Sequence, residues 1–68
     1  MIEVFKTNID NIEEAERIRK LLLDYLPYCQ VNFDLDDCDK VLRIEGKLSV
    51  DDVIAVIERH NYQCEVLE

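Results

Sequence analysis

Two kinds of hydrophobic spacing alternate along this chain, and their order restricts the fold more than any other feature. Residues 1–7 alternate apolar and polar side chains, which is typical of a strand. From Ile12 the apolar residues recur every three or four positions, which predicts a helix. Asn11 and Glu14 have the spacing of a capping pair at its start, and Pro27 ends it because proline disfavours helical geometry in the residue before it.

The second half of the chain repeats these patterns. Strand-like alternation returns three times, over 29–35, 41–45 and 62–67. The aspartate-rich segment 36–40 predicts a turn, because aspartate side chains bond nearby backbone. Helical spacing runs from Val50 to about His60, and Ser49 precedes it as a capping residue.

The predicted order is strand, helix, strand, strand, helix, strand. With right-handed crossovers this order gives an α+β, ferredoxin-like βαββαβ sandwich, a four-stranded antiparallel sheet with both helices on one face. We expect one such domain over residues 1–68. The residues predicted to form its core are Ile18, Leu22, Val31, Phe33, Leu42, Ile44, Val53, Ile54 and Ile57.

Charge and cysteine content exclude several functions. The chain has 8 Lys+Arg against 16 Asp+Glu, a net charge of −8, so it should repel nucleic acid and anionic lipid and favour a basic protein partner or a cation. No apolar run approaches the ~20 residues of a membrane helix, and no basic region leads into an apolar one, so we expect neither a membrane span nor a secretory signal. The three cysteines are an odd number without a Cys-x-x-Cys pair, so we expect free thiols and a cytoplasmic protein.

The segment DDVIAVIERHNYQCEV over 51–66 resembles the heavy-metal-associated domain of copper chaperones and metal-pumping ATPases. In that family the second helix commonly leads into a Gly-Tyr pair and a last strand. Here Asn61 precedes Tyr62, and asparagine tolerates the left-handed backbone that glycine would supply. The resemblance extends over the whole chain in length and topology, and in motif only around this last loop.

The family binds Cu(I) or similar soft ions through a Met-Thr-Cys-x-x-Cys loop, which the resemblance places on residues 6–11. Thr7 matches, Lys6 replaces the methionine, and Asn8 and Asn11 replace the thiolates. A one-residue slip would put Ile9 and Ile12 there, and it is less favourable because it turns polar helix residues inward. Neither alignment leaves a soft donor, so the resemblance implies a lost metal site.

Two surfaces are candidates for binding. The resemblance and the topology place Asn8, Asp10, Asn11 and Tyr62 at one loop end. The predicted strand phases place Phe5, Val41 and Leu67 on the helix-free sheet face, which predicts weak self-association or a partner that covers it.

Cys29 and Cys64 occupy the buried phases of their strands, where cysteine usually acts as a small apolar side chain. The chain has one histidine, no glycine-rich phosphate loop and no paired nucleophile and base, so we expect neither an enzyme nor a cofactor. The leading hypothesis is a binding or regulatory module for a protein partner. One alternative is a metal-binding protein or metallochaperone that uses Cys38 and His60, and another is a domain that binds a small molecule.

Overall fold

The computed structural model describes residues 1–67 and has the predicted α+β architecture. In chain order its elements are β1 (Ile2–Thr7), α1 (Ile12–Tyr25), β2 (Gln30–Asp34), β3 (Val41–Glu45), α2 (Val50–Arg59) and β4 (Cys64–Val66). The strands form one antiparallel sheet in the order β2-β3-β1-β4, so β2 and β4 are its edges. Neither helix in the described part of the chain is long and apolar enough to cross a membrane.

Both helices begin at the predicted caps. The Asn11 side-chain oxygen accepts the backbone N–H of Glu14 at 2.8 Å, and the Asn11 amide donates to the Glu14 carboxylate at 3.0 Å. The Ser49 hydroxyl accepts the backbone N–H of Asp52 at 3.4 Å. The bonds that the Asn11 and Ser49 oxygens accept satisfy backbone N–H groups that the first helical turn leaves without an intrahelical partner, and they fix where each helix starts.

The core lies between the helices and one face of the sheet. Seven of the nine predicted core residues are buried, and the other two, Phe33 and Ile54, are partly buried and pack against them. Cys29 and Cys64 are buried, as their strand phases predict. Gly46 adjoins Cys29 closely: at φ +135° it has a backbone that favours glycine, and a Cβ there would lie 2.7 Å from the Cys29 sulfur.

The predicted position of Phe5 on the helix-free face is wrong. Phe5 is 0% exposed and lies directly opposite Leu42 of β3, which is equally buried, whereas Ile2 is 57% exposed. β1 therefore turns Phe5 and Thr7 toward the helices and Ile2 and Val4 away from them. Burying the phenyl ring removes the largest apolar side chain of the strand from water. The inward Thr7 hydroxyl is satisfied because it donates to the Lys40 carbonyl at 2.7 Å.

Candidate functional site

Three loops meet at one end of the sheet, which we call the loop end: residues 8–11 between β1 and α1, the turn 35–40 between β2 and β3, and residues 60–63 between α2 and β4. Long-range hydrogen bonds hold them together. The Thr7 backbone N–H donates to the Asp39 carbonyl at 3.2 Å, and the Gln63 N–H donates to the Asn8 side-chain oxygen at 2.8 Å. The four predicted loop-end residues, Asn8, Asp10, Asn11 and Tyr62, all lie here or next to it.

The two loop asparagines both have structural partners. Asn8 joins the first loop to the last one through the Gln63 N–H, and Asn11 caps α1 through the Glu14 N–H. Each side-chain oxygen thus accepts a backbone proton. Asn61, two residues before Gln63, takes the predicted left-handed conformation with φ 69°. The two positions that the resemblance assigns to the thiolates therefore hold neutral amides whose oxygens accept backbone N–H groups, and such amides are poor ligands for a soft metal ion.

Tyr62 is half-buried against the core, with its hydroxyl at the surface. The hydroxyl accepts a hydrogen bond from the Arg17 guanidinium at 2.9 Å. Partial burial raises the pKa of the Tyr62 phenol, the Glu14 carboxylate raises it further, and Arg17 acts in the opposite direction. The phenol therefore stays neutral at physiological pH and ties α1 to the last loop.

The three cysteines differ in environment. Cys29 and Cys64 are buried and Cys38 is exposed, and all three are free thiols. Burial, followed by the nearby carboxylates of Glu58 and Glu65, raises the pKa of the Cys64 thiol to about 12. A thiol that stays protonated is neither a good nucleophile nor a ready metal ligand.

Cys38 lies in the β2–β3 turn between two aspartates. Ligand atoms of Asp37, Cys38 and Asp39 lie within 4.8 Å of one another, and His60 is not part of this cluster. Both carboxylates also have partners of the ordinary kind found in a turn. Asp37 accepts the Asp39 backbone N–H at 2.8 Å, and Asp39 lies 3.8 Å from the Lys6 ammonium. The structure thus accounts for the aspartates through the turn itself and does not gather the predicted Cys38 and His60 pair into this cluster.

The sequence pattern did not predict that an isoleucine would be exposed at the loop end. Ile12 is the first residue of α1 and is 74% exposed, although its spacing assigns it to the apolar stripe of the helix. It lines a shallow depression together with Leu35 and the acidic residues Asp10, Glu13 and Asp36. The signal in the sequence is its position directly after the cap residue, one turn before the buried part of the stripe begins at Ala15.

The helix-free sheet face also differs from its prediction. Phe5 is in the core, Val41 is 5% exposed between its cross-strand neighbours Lys6 and Asp34, and Leu67 is exposed. The Leu67 backbone N–H donates to the Val4 carbonyl at 2.9 Å, which places Leu67 beside Val4. The exposed apolar side chains of this face are therefore Ile2 and Leu67, with Val4 half-buried between them.

The chain matches no protein-family model, and no curated protein matches it. The resemblance to the heavy-metal-associated domain thus depends on the motif over residues 51–66 and on the length of the chain and its order of helices and strands.

Proposed function

We propose that this domain is a small non-enzymatic binding or regulatory module that docks a protein partner, on a scaffold like the heavy-metal-associated domain whose metal site has been lost. The observation that carries the proposal is that both loop asparagines are committed to backbone N–H groups. In the resemblance, these are the positions of the two metal-binding thiolates. Here they hold the fold together, so what remains for function at this end of the molecule is its surface.

The surface favours a protein as the partner. Large apolar side chains are exposed on several sides of the described chain: Met1, Ile2, Ile12, Tyr25, Tyr28, Val66 and Leu67. Tyr28 is 98% exposed, beside Pro27 in the α1–β2 loop. Aromatic side chains are enriched in protein interfaces because they bury much area for little lost conformational freedom. The net charge of −8 favours a basic partner and disfavours polyanions.

The competing function is a metal carrier with unusual ligands, the exposed Cys38 and His60 on another loop. The two functions separate in one titration. We expect protein purified under reducing conditions to carry less than stoichiometric metal and to bind Cu(I) and Zn(II) more weakly than micromolar. Binding of about one equivalent, tighter than micromolar and abolished by Cys38→Ala but not by Cys29→Ala, would replace the proposal with the metal carrier.

The positive test is recovery of a partner. The tagged domain, incubated with extract of the cells that make it, should retain a protein that then binds the purified domain directly in calorimetry, with a 1:1 or otherwise fixed stoichiometry. Binding should weaken as salt rises, because opposite charges on the two surfaces are screened. A domain that binds no protein in this way, but binds a metal ion or a small molecule in a thermal-shift screen, does not have the proposed function.

A further inference from the structure

We propose that the groove between α1 and the edge strand β2 receives a basic segment of the partner protein that inserts one large apolar side chain. This inference depends on the proposed function, since it assigns the surface and the partner chemistry of the same module. We call the surface the acidic groove. Its apolar lining is Ile12, Ala15, Phe33 and Leu35, and its carboxylates are Asp10, Glu13, Glu16 and Asp36.

The apolar lining is continuous. One depression at the loop end and a second one between α1 and β2 share Ile12 and Leu35. Ile12 is 74% exposed, and Phe33 and Leu35 are half-buried, so a side chain placed here would cover apolar area that now faces water. Ala15, which lines the second depression with Ile12, carries only a methyl group and therefore projects little into it.

The charges around the lining have one dominant sign. Four carboxylates line the two depressions, and Arg19 is the single cation among the described residues that do so. Arg19 is also already engaged: its guanidinium lies 3.7 Å from the Glu16 carboxylate and donates to the Val31 carbonyl at 2.9 Å. An apolar side chain flanked by lysine or arginine therefore complements both the centre of the groove and its rim.

The Arg19 contact also decides how a segment can bind. β2 is an edge strand, and an edge normally offers its outward backbone groups to a further strand. Here the Val31 carbonyl is occupied by Arg19, which blocks a strand from pairing along the full length of β2. We therefore expect the segment to bind mainly through its side chains, at the loop end where Asp10, Glu13 and Asp36 line the depression.

Charge also argues against a second copy of this chain as the occupant. Each copy carries a net charge of −8, so seating one copy in another's acidic groove would bring like charges together.

The probe is a seven-residue peptide with one central leucine between two groups of three lysines, titrated into isotopically labelled protein and followed by amide chemical shifts. Two matched peptides replace the leucine by glycine or the lysines by glutamates. We expect the largest shifts at residues 12–16 and 33–36, and no binding of the acidic peptide. The glycine peptide and an Ile12→Ser protein should each bind about tenfold more weakly, the effect of losing one well-buried apolar contact.

The matched control is Ile2→Ser, which removes an exposed isoleucine from the opposite face of the sheet and should leave the affinity unchanged. The acidic groove is refuted if the leucine peptide does not bind at millimolar concentration, if its shifts lie elsewhere, or if Ile12→Ser has no effect. A cellular partner that binds wild type and Ile12→Ser protein equally also removes the groove, yet leaves the protein-binding function intact. If the domain binds a metal ion and no protein partner is found, the proposed protein-binding function is wrong, and the groove proposal fails with it.

Discussion

Truncation of Phe5 tests the phase of β1, which decides the apolar side chains that the helix-free sheet face exposes. Phe5 is 0% exposed and packs in the core opposite Leu42 and Val66. Replacing a fully buried phenylalanine by alanine costs about 3–5 kcal/mol. A chain of 68 residues is stabilised by roughly 3–10 kcal/mol in total, by the usual value per residue. Phe5→Ala should therefore be largely unfolded or close to it, and a milder change is needed for a measurement.

Phe5→Leu supplies that measurement. It keeps an apolar side chain in the same place, and we expect a loss of about 1–2 kcal/mol in the free energy of unfolding. With a urea dependence of about 1 kcal/mol per molar for so small a domain, the midpoint should fall by roughly 1–2 M. The chain has no tryptophan, so far-ultraviolet circular dichroism is the suitable signal.

The control residue is Ile2, which lies on the same strand as Phe5 but on the helix-free face of the sheet. Ile2 is 57% exposed, so Ile2→Ala should cost less than about 1 kcal/mol. If Ile2→Ala destabilises the protein more than Phe5→Leu does, β1 has the opposite phase. In that case Phe5 returns to the helix-free face as a candidate binding residue.

Three further predictions concern the loop end, the buried thiol and the sheet face. The double variant Asn8→Cys with Asn11→Cys should bind Cu(I), which the parent does not, and should lose about 1 kcal/mol of stability for each side-chain hydrogen bond removed. The control is Asn8→Ser with Asn11→Ser, and a folded cysteine variant that binds Cu(I) no better than this control contradicts the resemblance. Burial raises the pKa of the Cys64 thiol to about 12, from about 9 in the unfolded chain. The protonated thiol therefore contributes fully to stability below pH 9, and this contribution declines as the pH rises toward 12. Wild type should therefore lose about 1 kcal/mol more than Cys64→Ala between about pH 8 and about pH 10, after a discount for solvent screening. The measurement is urea unfolding under reducing conditions, and parallel pH profiles of the two proteins would show that the thiol is solvated. Sedimentation should detect only weak self-association, because the exposed apolar area of the sheet face is well below the ~800 Å² per partner of a stable interface. Leu67→Glu should reduce this self-association. A protein that is monomeric at every concentration, with or without the substitution, excludes self-association through this face.

Local patterns in the sequence were sufficient for most of the architecture. The helix starts follow from Asn11 and Ser49, whose side chains bond backbone groups three residues away. The inward residues of β2 follow from strict alternation of apolar and polar side chains. Those of β3 follow from Leu42 and Ile44, although Val41 makes the outward phase of that strand partly apolar. Cys29 and Cys64 were correctly placed for the same reason. In each case the deciding interaction lies within a few residues, or one of the two possible phases is clearly the more apolar.

The tertiary structure alone decided the phase of β1, the exposure of Ile12 and the role of Asn8. Both faces of β1 carry apolar residues, so alternation was ambiguous there, and the packing of Phe5 on the same face as Leu42 settled it. Ile12 has the spacing of a buried residue, but it lies at the helix end that extends beyond the packed turns. Asn8 accepts the N–H of Gln63, 55 residues away, which no local pattern can reveal. The physical reason is common to all three: each depends on contacts between segments distant in sequence, and such contacts exist only once the chain has folded.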